Sequence, residues 1–210
     1  MSSNTLYMVR MDVAHDRETV FNELYNAEHI PALLAVPGVR RASRYRNPSP
    51  TDPRYVAMYE IDSPEVIDSP AWKGAGDSGR WPGEVRPFTM NRHLVLYERV
   101  GRATELTYST PYIFLVMMDV EPHREALFNE LYDTEHVPVM LGLSGCVNAV
   151  RYRTQAPGEP RYLAAYEVTR ADLPNSAVWN DTSDIGRWKP EVRPYTHNKR
   201  LILCARIWPR

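Results

Sequence analysis

Apolar and polar positions along the chain alternate with two periods, near 2 and near 3.6, and the order of the two kinds of segment recurs. Leu6 to Asp12 is apolar and β-prone, and Ile113 to Asp119 is more so, as for strands buried on both faces. From Arg17, the spacing of Val20, Phe21 and Leu24 marks one helical face with charges between, predicting a helix capped by Asp16 that runs to about Glu28. Pro31 removes a backbone donor and disfavours helical geometry at Ile30, so a break or kink is expected there. After Pro37-Gly38, Val39 to Arg46 and Arg54 to Ile61 read as a hairpin joined by the proline-rich turn Asn47 to Pro53. Ser63-Pro64-Glu65 opens a second helix reaching towards Trp72, a glycine-rich loop runs through Gly83, and Arg92 to Arg99 forms the last strand.

The same order returns 107 positions later. Phe21-Asn22-Glu23-Leu24-Tyr25 falls on Phe128-Asn129-Glu130-Leu131-Tyr132, Arg44-Tyr45-Arg46 on Arg151-Tyr152-Arg153, and Gly79-Arg80-Trp81 on Gly186-Arg187-Trp188. About 40 of roughly 95 paired positions are identical without a gap, which reads as a tandem duplication with domains at 1–104 and 105–210. Gly101 to Pro111 reads as a short polar linker.

The order βαββαβ is that of a ferredoxin-like domain, with helices on one face of an antiparallel sheet. The other face needs cover, and a second copy in the same chain is expected to supply it, sheet against sheet. The segments FNELYNAEHIPALLAVPGVRRASRYR and FNELYDTEHVPVMLGLSGCVNAVRYR place an aromatic residue, an acid, His and Pro before a turn. In this the chain resembles the EthD-like members of the dimeric α+β barrel superfamily. The resemblance implies an α+β fold, two tandem ferredoxin-like domains forming an intramolecular barrel. It leaves the reaction open, since that superfamily includes antibiotic-biosynthesis monooxygenases, muconolactone isomerases, polyketide cyclases and several haem proteins.

Composition narrows the classes. With 210 residues, 43% hydrophobic and 24% charged, the chain can bury a sizeable core, and a net charge of -1 lacks the basic footprint of a nucleic-acid binder. It holds no apolar run of membrane-spanning length and no leader-like start, so a cytoplasmic protein without membrane contact is expected. Cys146 and Cys204 stand where the first copy has Val39 and Tyr97, which argues against a disulfide framework. Phosphate loop, dinucleotide fingerprint, nucleophile elbow and metal-spaced Cys or His pairs are missing, so a site with no cofactor and no metal is the simpler expectation.

Candidate chemistry gathers at the expected helix break. Tyr25 and His29 share a helix face with Glu28 alongside, and Tyr132, Glu135 and His136 repeat the group. A His beside a Glu suits general acid or base work near neutral pH; alternatively Glu28 pairs with an Arg and His29 bonds a neighbouring loop. Arg44 and Arg46, with Arg151 and Arg153, share a strand face and are candidates to hold an anion, unless they pair with Glu60 and Glu167 across the hairpin. Trp72 and Trp81, repeated as Trp179 and Trp188, lie with Arg80, Glu84 and Arg86 around the glycine-rich loop, either as the roof of an aromatic ligand or as anchors to the core.

These groups lead to an expected function: a cofactor-independent isomerase, lyase or cyclase moving a proton on a small aromatic or carbonyl-containing metabolite. In it the imidazole is the base, Tyr25 or Tyr132 positions the substrate oxygen, and an Arg offsets charge. The alternatives are a non-catalytic small-molecule binding or scaffold protein, a cofactor-free monooxygenase, and a haem protein with His29 or His136 as axial ligand. Further assembly as a homodimer stays open. Because Met90, His93 and Tyr97 become His197, Arg200 and Cys204, the two copies are expected to differ in pocket polarity, with one site dominant.

Overall fold

The computed structural model describes residues 5–50, 52–102 and 104–209; Met1 to Asn4, on which the expectation of a leaderless start rests, lie outside them. Two compact units divide the chain. One gathers the residues up to Glu98 with the C-terminal segment from Ile207, and the other runs from Arg99 to Arg206. Each is a mixed α+β unit.

In the first unit the strands are β1 (Thr5–Val13), β2 (Val39–Arg46), β3 (Tyr55–Ile61) and β4 (Thr89–Val100). They pair antiparallel in the order β4-β1-β3-β2, with Tyr7 opposite both Tyr59 and Leu96. Helices α1 (Glu18–Leu24), α2 (Ile30–Leu34), α3 (Pro70–Gly76) and α4 (Trp81–Glu84) lie over one face. Phe21, Leu24, Ile30 and Leu33 pack there with Val9, Met11, Ala57 and Tyr59. On the opposite face Leu6, Met8 and Met58 are also fully buried. The second unit repeats the plan with β5 (Tyr112–Val120), α5 (Glu125–Leu131), α6 (Val137–Leu141), β6 (Cys146–Arg153), β7 (Tyr162–Val168), α7 (Ala177–Ser183), α8 (Trp188–Glu191) and β8 (Thr196–Trp208).

The expected helix break is a widening instead. Between α1 and α2 the residues Tyr25–His29 form one π-helical turn, closed by the Ile30 N–H donating to the Tyr25 carbonyl five residues back. The wider turn relieves the clash that Pro31 would make with the preceding carbonyls, and Pro31 then sits in the first turn of α2, where its missing N–H costs nothing. The helical path therefore continues to Leu34 rather than ending near Glu28. Tyr132–His136 make the same turn in the second unit. Asp16 makes no capping hydrogen bond; the entry is a 3-10 turn at His15–Arg17.

The segment expected to be a polar linker is docked on the second unit. Leu106 and Tyr108 are buried, and the Thr107 N–H and hydroxyl donate to the carboxylate of buried Glu167 at 2.8 and 2.9 Å. Asn148 donates to it as well, at 2.8 Å. The counterpart Glu60 is held by Arg41 at 2.9 Å. Of the arginines expected across the hairpin, Arg44 turns to Asn26 and Asn22, and Arg151 to Asp133.

Both thiols are buried: Cys146 among the helix-packed residues, where burial pushes it up to about 12, and Cys204 in β8, fully enclosed. A thiol-reactive chromogen is therefore expected to label neither in the native protein and both in denaturant. Rapid native labelling of Cys204 would show that this strand is not covered.

Candidate functional site

The π turn sets the register of the site. It turns Tyr25 fully inward, 2% exposed, and lays the His29 imidazole flat on the Trp81 indole, with ring centroids 4.2 Å apart and planes at 17°. Tyr25 meets both rings edge-on, at 5.0 Å from His29 and 4.8 Å from Trp81. Glu28 points the other way. It accepts from the Arg80 backbone N–H at 3.0 Å and from Arg80 Nε at 2.8 Å, so it pins the loop that carries Trp81 and does not orient the imidazole. The loop passes so close to Glu28 that Gly79, at φ +64, has no room for a Cβ. In the second unit His136 stacks on Trp188 at 4.5 Å and Glu135 accepts from the Arg187 N–H at 3.2 Å.

A cavity of about 120 Å³ opens beside this stack, between Tyr7, Tyr25, His29, Tyr59, Trp72 and Trp81, with Arg86 and Arg92 at its polar side. Its counterpart, about 140 Å³, has Phe114, Tyr132, His136, Tyr166, Trp179 and Trp188, with Arg193 and Lys199. Trp72 closes one wall by meeting Tyr7 and Tyr59 edge-on, each at 5.6 Å. The tryptophans pack against the core and line the cavities.

The arginines divide differently from expectation. Arg44 is buried behind Tyr25, its guanidinium 4.0 Å from the ring centroid, and donates to Asn26 at 2.5 Å and Asn22 at 3.0 Å. Arg151 lies likewise behind Tyr132 and pairs with Asp133 at 2.6 Å. Arg46 and Arg153 are exposed, Arg46 near Glu18 at 3.8 Å, and neither lines a cavity. The cations that do reach the cavities are Arg86 with Arg92, and Arg193 with Lys199. Of these, Arg92 and Lys199 went unnoticed in the sequence. Both stand at a β-bulge: in the β1–β4 register Arg10 faces His93 and Asp12 faces Met90, so Asn91 and Arg92 together oppose Met11. Asn91 adopts φ 49 and donates to Asp12 at 2.8 Å, re-aiming the next side chain. Asn198 and Asp119 do the same for Lys199. The repeat of an Asn followed by a basic residue was the available signal.

Electrostatics lowers the basicity of both imidazoles. Burial, helped by Arg86, Arg44 and Arg92, brings His29 down to about 3; burial, helped by Arg193 and Arg151, does the same for His136. Both rings are neutral, and His29 Nδ1 is buried with no partner. Tyr25 and Tyr59 are pushed up by burial, so both phenols stay protonated, and the Tyr59 hydroxyl donates to that of Tyr25 at 3.2 Å. Among the described residues no cluster of three or more His, Cys, Asp or Glu is placed to hold a metal, and no helix is long and apolar enough to cross a membrane.

No protein-family model matches the chain, and no curated protein does. Solved structures do match. A protein provisionally assigned as a monooxygenase from Fusobacterium nucleatum aligns at TM-score 0.65 with 12% identity, covering 98% of this chain and 93% of that one. A provisionally assigned monooxygenase from Lactobacillus acidophilus gives 0.61 and 7%, covering 98% and 94%. Chlorite dismutase from Candidatus Nitrospira defluvii gives 0.66 and 10%, covering 97% and 92%. At these identities the likeness is one of fold, a mixed α+β architecture. The expectation of a cofactor-independent isomerase, lyase or cyclase is overturned: these neighbours bear monooxygenase and dismutase names.

Haem, weighed for His29 or His136, does not fit either. Pockets for drug-sized ligands run to roughly 300–1,000 Å³, and a porphyrin needs the upper part of that range. These cavities are a fraction of it.

Because both imidazoles sit below the ordinary 6.5, the unfolded chain binds more protons than the folded one between about pH 3 and 6.5. Their contribution to stability is complete above that window and is lost as pH falls through it. Thermal melts from about pH 7 to 4 should show this loss, and His29→Phe with His136→Phe should flatten the slope. Imidazole proton resonances of either residue titrating near pH 6.5 in the native protein would refute the assignment.

Proposed function

We propose that each cavity binds a small planar aromatic anion, and that the protein works on it as a monooxygenase without a haem or metal. The observation that carries the reading is the aromatic slot itself, walled by Trp72, Trp81, Tyr25 and Tyr59, where two guanidinium groups meet a neutral imidazole with an unpaired buried nitrogen. About 120 Å³ suits one six-membered ring with a small substituent, given that cavities of roughly 150 Å³ take up benzene. The monooxygenase names of neighbours sharing this fold support the reaction class, and the geometry supports the ligand class.

The division of work follows from the side chains. Arg86 and Arg92 stabilise the ligand's anion, so it needs no strong protein base to reach the electron-rich form. The His29 imidazole supplies one hydrogen bond that fixes orientation. The indoles and phenols exclude water and sandwich the ring. Electrons come from the ligand: a ring CH2 becomes C=O, one oxygen atom of O2 stays in the product and the other leaves as water.

The test is oxygen uptake across a panel of phenols and cyclic benzylic ketones, with tryptophan fluorescence reporting binding and labelled O2 reporting atom transfer. One labelled oxygen atom in the product, the other in water, is the expected result. Binding without oxygen uptake would leave a binding protein; no binding by any member would end the reading. Since His29 donates or accepts one hydrogen bond and is not the base, His29→Gln should cost about tenfold or less in turnover. Arg92→Gln should raise KM for anionic ligands several-fold and leave neutral ones unchanged. A loss of 10²-fold or more for His29→Gln would mean that the imidazole moves the proton after all.

A further inference from the structure

The walls of the two cavities are nearly the same, but what stands behind one wall is not. In the first unit the guanidinium of Arg44 is fully buried against Tyr25, and its partners are the neutral side chains of Asn26 and Asn22. In the second unit Arg151 is 5% exposed against Tyr132 and has a carboxylate, Asp133, at 2.6 Å. Asn26 and Asp133 occupy equivalent places in the π turns Tyr25–His29 and Tyr132–His136. The other charges near the cavities correspond. Arg86 and Arg193 each carry an aspartate, Asp77 and Asp184, and Arg92 corresponds to Lys199. Lys189, which also meets Asp184, is 63% exposed and does not line the cavity. The first cavity thus faces three cations and one carboxylate, the second three cations and two carboxylates.

A buried guanidinium without a carboxylate keeps its full field, because little water is present to screen it. Arg44 bears this out in being pulled down to about 10, mainly by desolvation. Its field emerges through Tyr25, a wall of the cavity.

We propose that the two cavities select ligands of different charge, the first preferring a monoanion over its neutral isostere more strongly than the second, and that Asn26 and Asp133 set the difference. This rests on the reading that both cavities bind small aromatic molecules. It also relocates the inequality between the copies, from the fourth strand to the helix turn beneath the cavity. For a ligand about 8 Å from the side chain at position 26 or 133 and an effective dielectric of about 20, one unit charge there changes monoanion affinity by roughly 30-fold, which physiological salt trims towards threefold. The neutral isostere is unaffected.

The experiment titrates the full chain with 4-fluorobenzoate and 4-fluorobenzamide, an isosteric anionic and neutral pair, and follows the two bound populations by fluorine NMR. Asn26→Asp and Asp133→Asn each import a pairing that the other unit already carries, so both variants should fold, and thermal melts check this. Wild type should bind benzoate about 3- to 30-fold more tightly at one site than the other, with the benzamide difference smaller. Asn26→Asp should weaken benzoate at the tight site by the same factor, and Asp133→Asn should strengthen it at the weak site. Benzamide binding should not respond to either, and the double swap should exchange the two sites. If benzamide binds but neither substitution moves benzoate affinity, the proposal is wrong and the cavity reading stands. If neither probe binds, the cavity reading fails and takes the proposal with it.

Discussion

The site depends on one backbone event, the extra residue accommodated in the helix turn at Tyr25–His29. A regular α-helix would rotate each following side chain by about 100° per residue and leave Pro31 clashing with the turn before it. The π turn absorbs the proline and sets three directions at once: Tyr25 inward under the sheet, His29 flat on Trp81, and Glu28 outward to Arg80. Each direction is then locked by a different partner. The loop carrying Trp81 is held by Glu28, so the residue that looks catalytic beside His29 serves to place the indole against it.

Around that stack, burial and charge work against each other in a useful way. The imidazole is driven neutral because it is desolvated and surrounded by guanidinium groups. The same guanidinium groups make the cavity a place where an anion is stabilised. A group of low basicity and a field of positive sign therefore coexist in one small space, which favours binding a preformed anion over removing a proton. The β-bulges at Asn91 and Asn198 complete this field by turning Arg92 and Lys199 towards the cavity.

The two copies show how one scaffold meets the same requirement by different means. Glu60 and Glu167 are both buried and both need partners, since an unpaired buried carboxylate is costly. The first finds Arg41; the second, with Asn148 in place of that arginine, draws on Thr107 and Ser109 from the segment joining the units. Arg44 and Arg151 diverge in the same manner, one meeting the neutral side chains of Asn26 and Asn22 and the other the carboxylate of Asp133.

The first three strands of the first unit were legible in the sequence to within a residue, as was the mixed α+β order, because alternation and turn residues are local and strand burial enforces them; β4 begins three residues before the expected Arg92. The clustering of Tyr25, His29, Trp72 and Trp81 was legible in part: helical spacing joined the first two, and the tryptophans stood out by type. The sequence by itself also matches Phe21–Tyr25 with Phe128–Tyr132 and Arg44–Arg46 with Arg151–Arg153 at a spacing of 107 positions, which needs no coordinates. The path through Pro31 did not follow from it, because a proline reads locally as a break and only packing of Leu24, Ile30 and Leu33 against the sheet makes a widened helix the better solution. Nor did the roles of the charges. Arg44 and Glu60 lie on paired strands, but the register sets Ala57 opposite Arg44 and Arg41 opposite Glu60, so one turns to Asn26 and the other to Arg41. Which of them is desolvated, which is neutralised and which faces a ligand depends on every group within a few ångströms in space, and that set is assembled only by the tertiary fold.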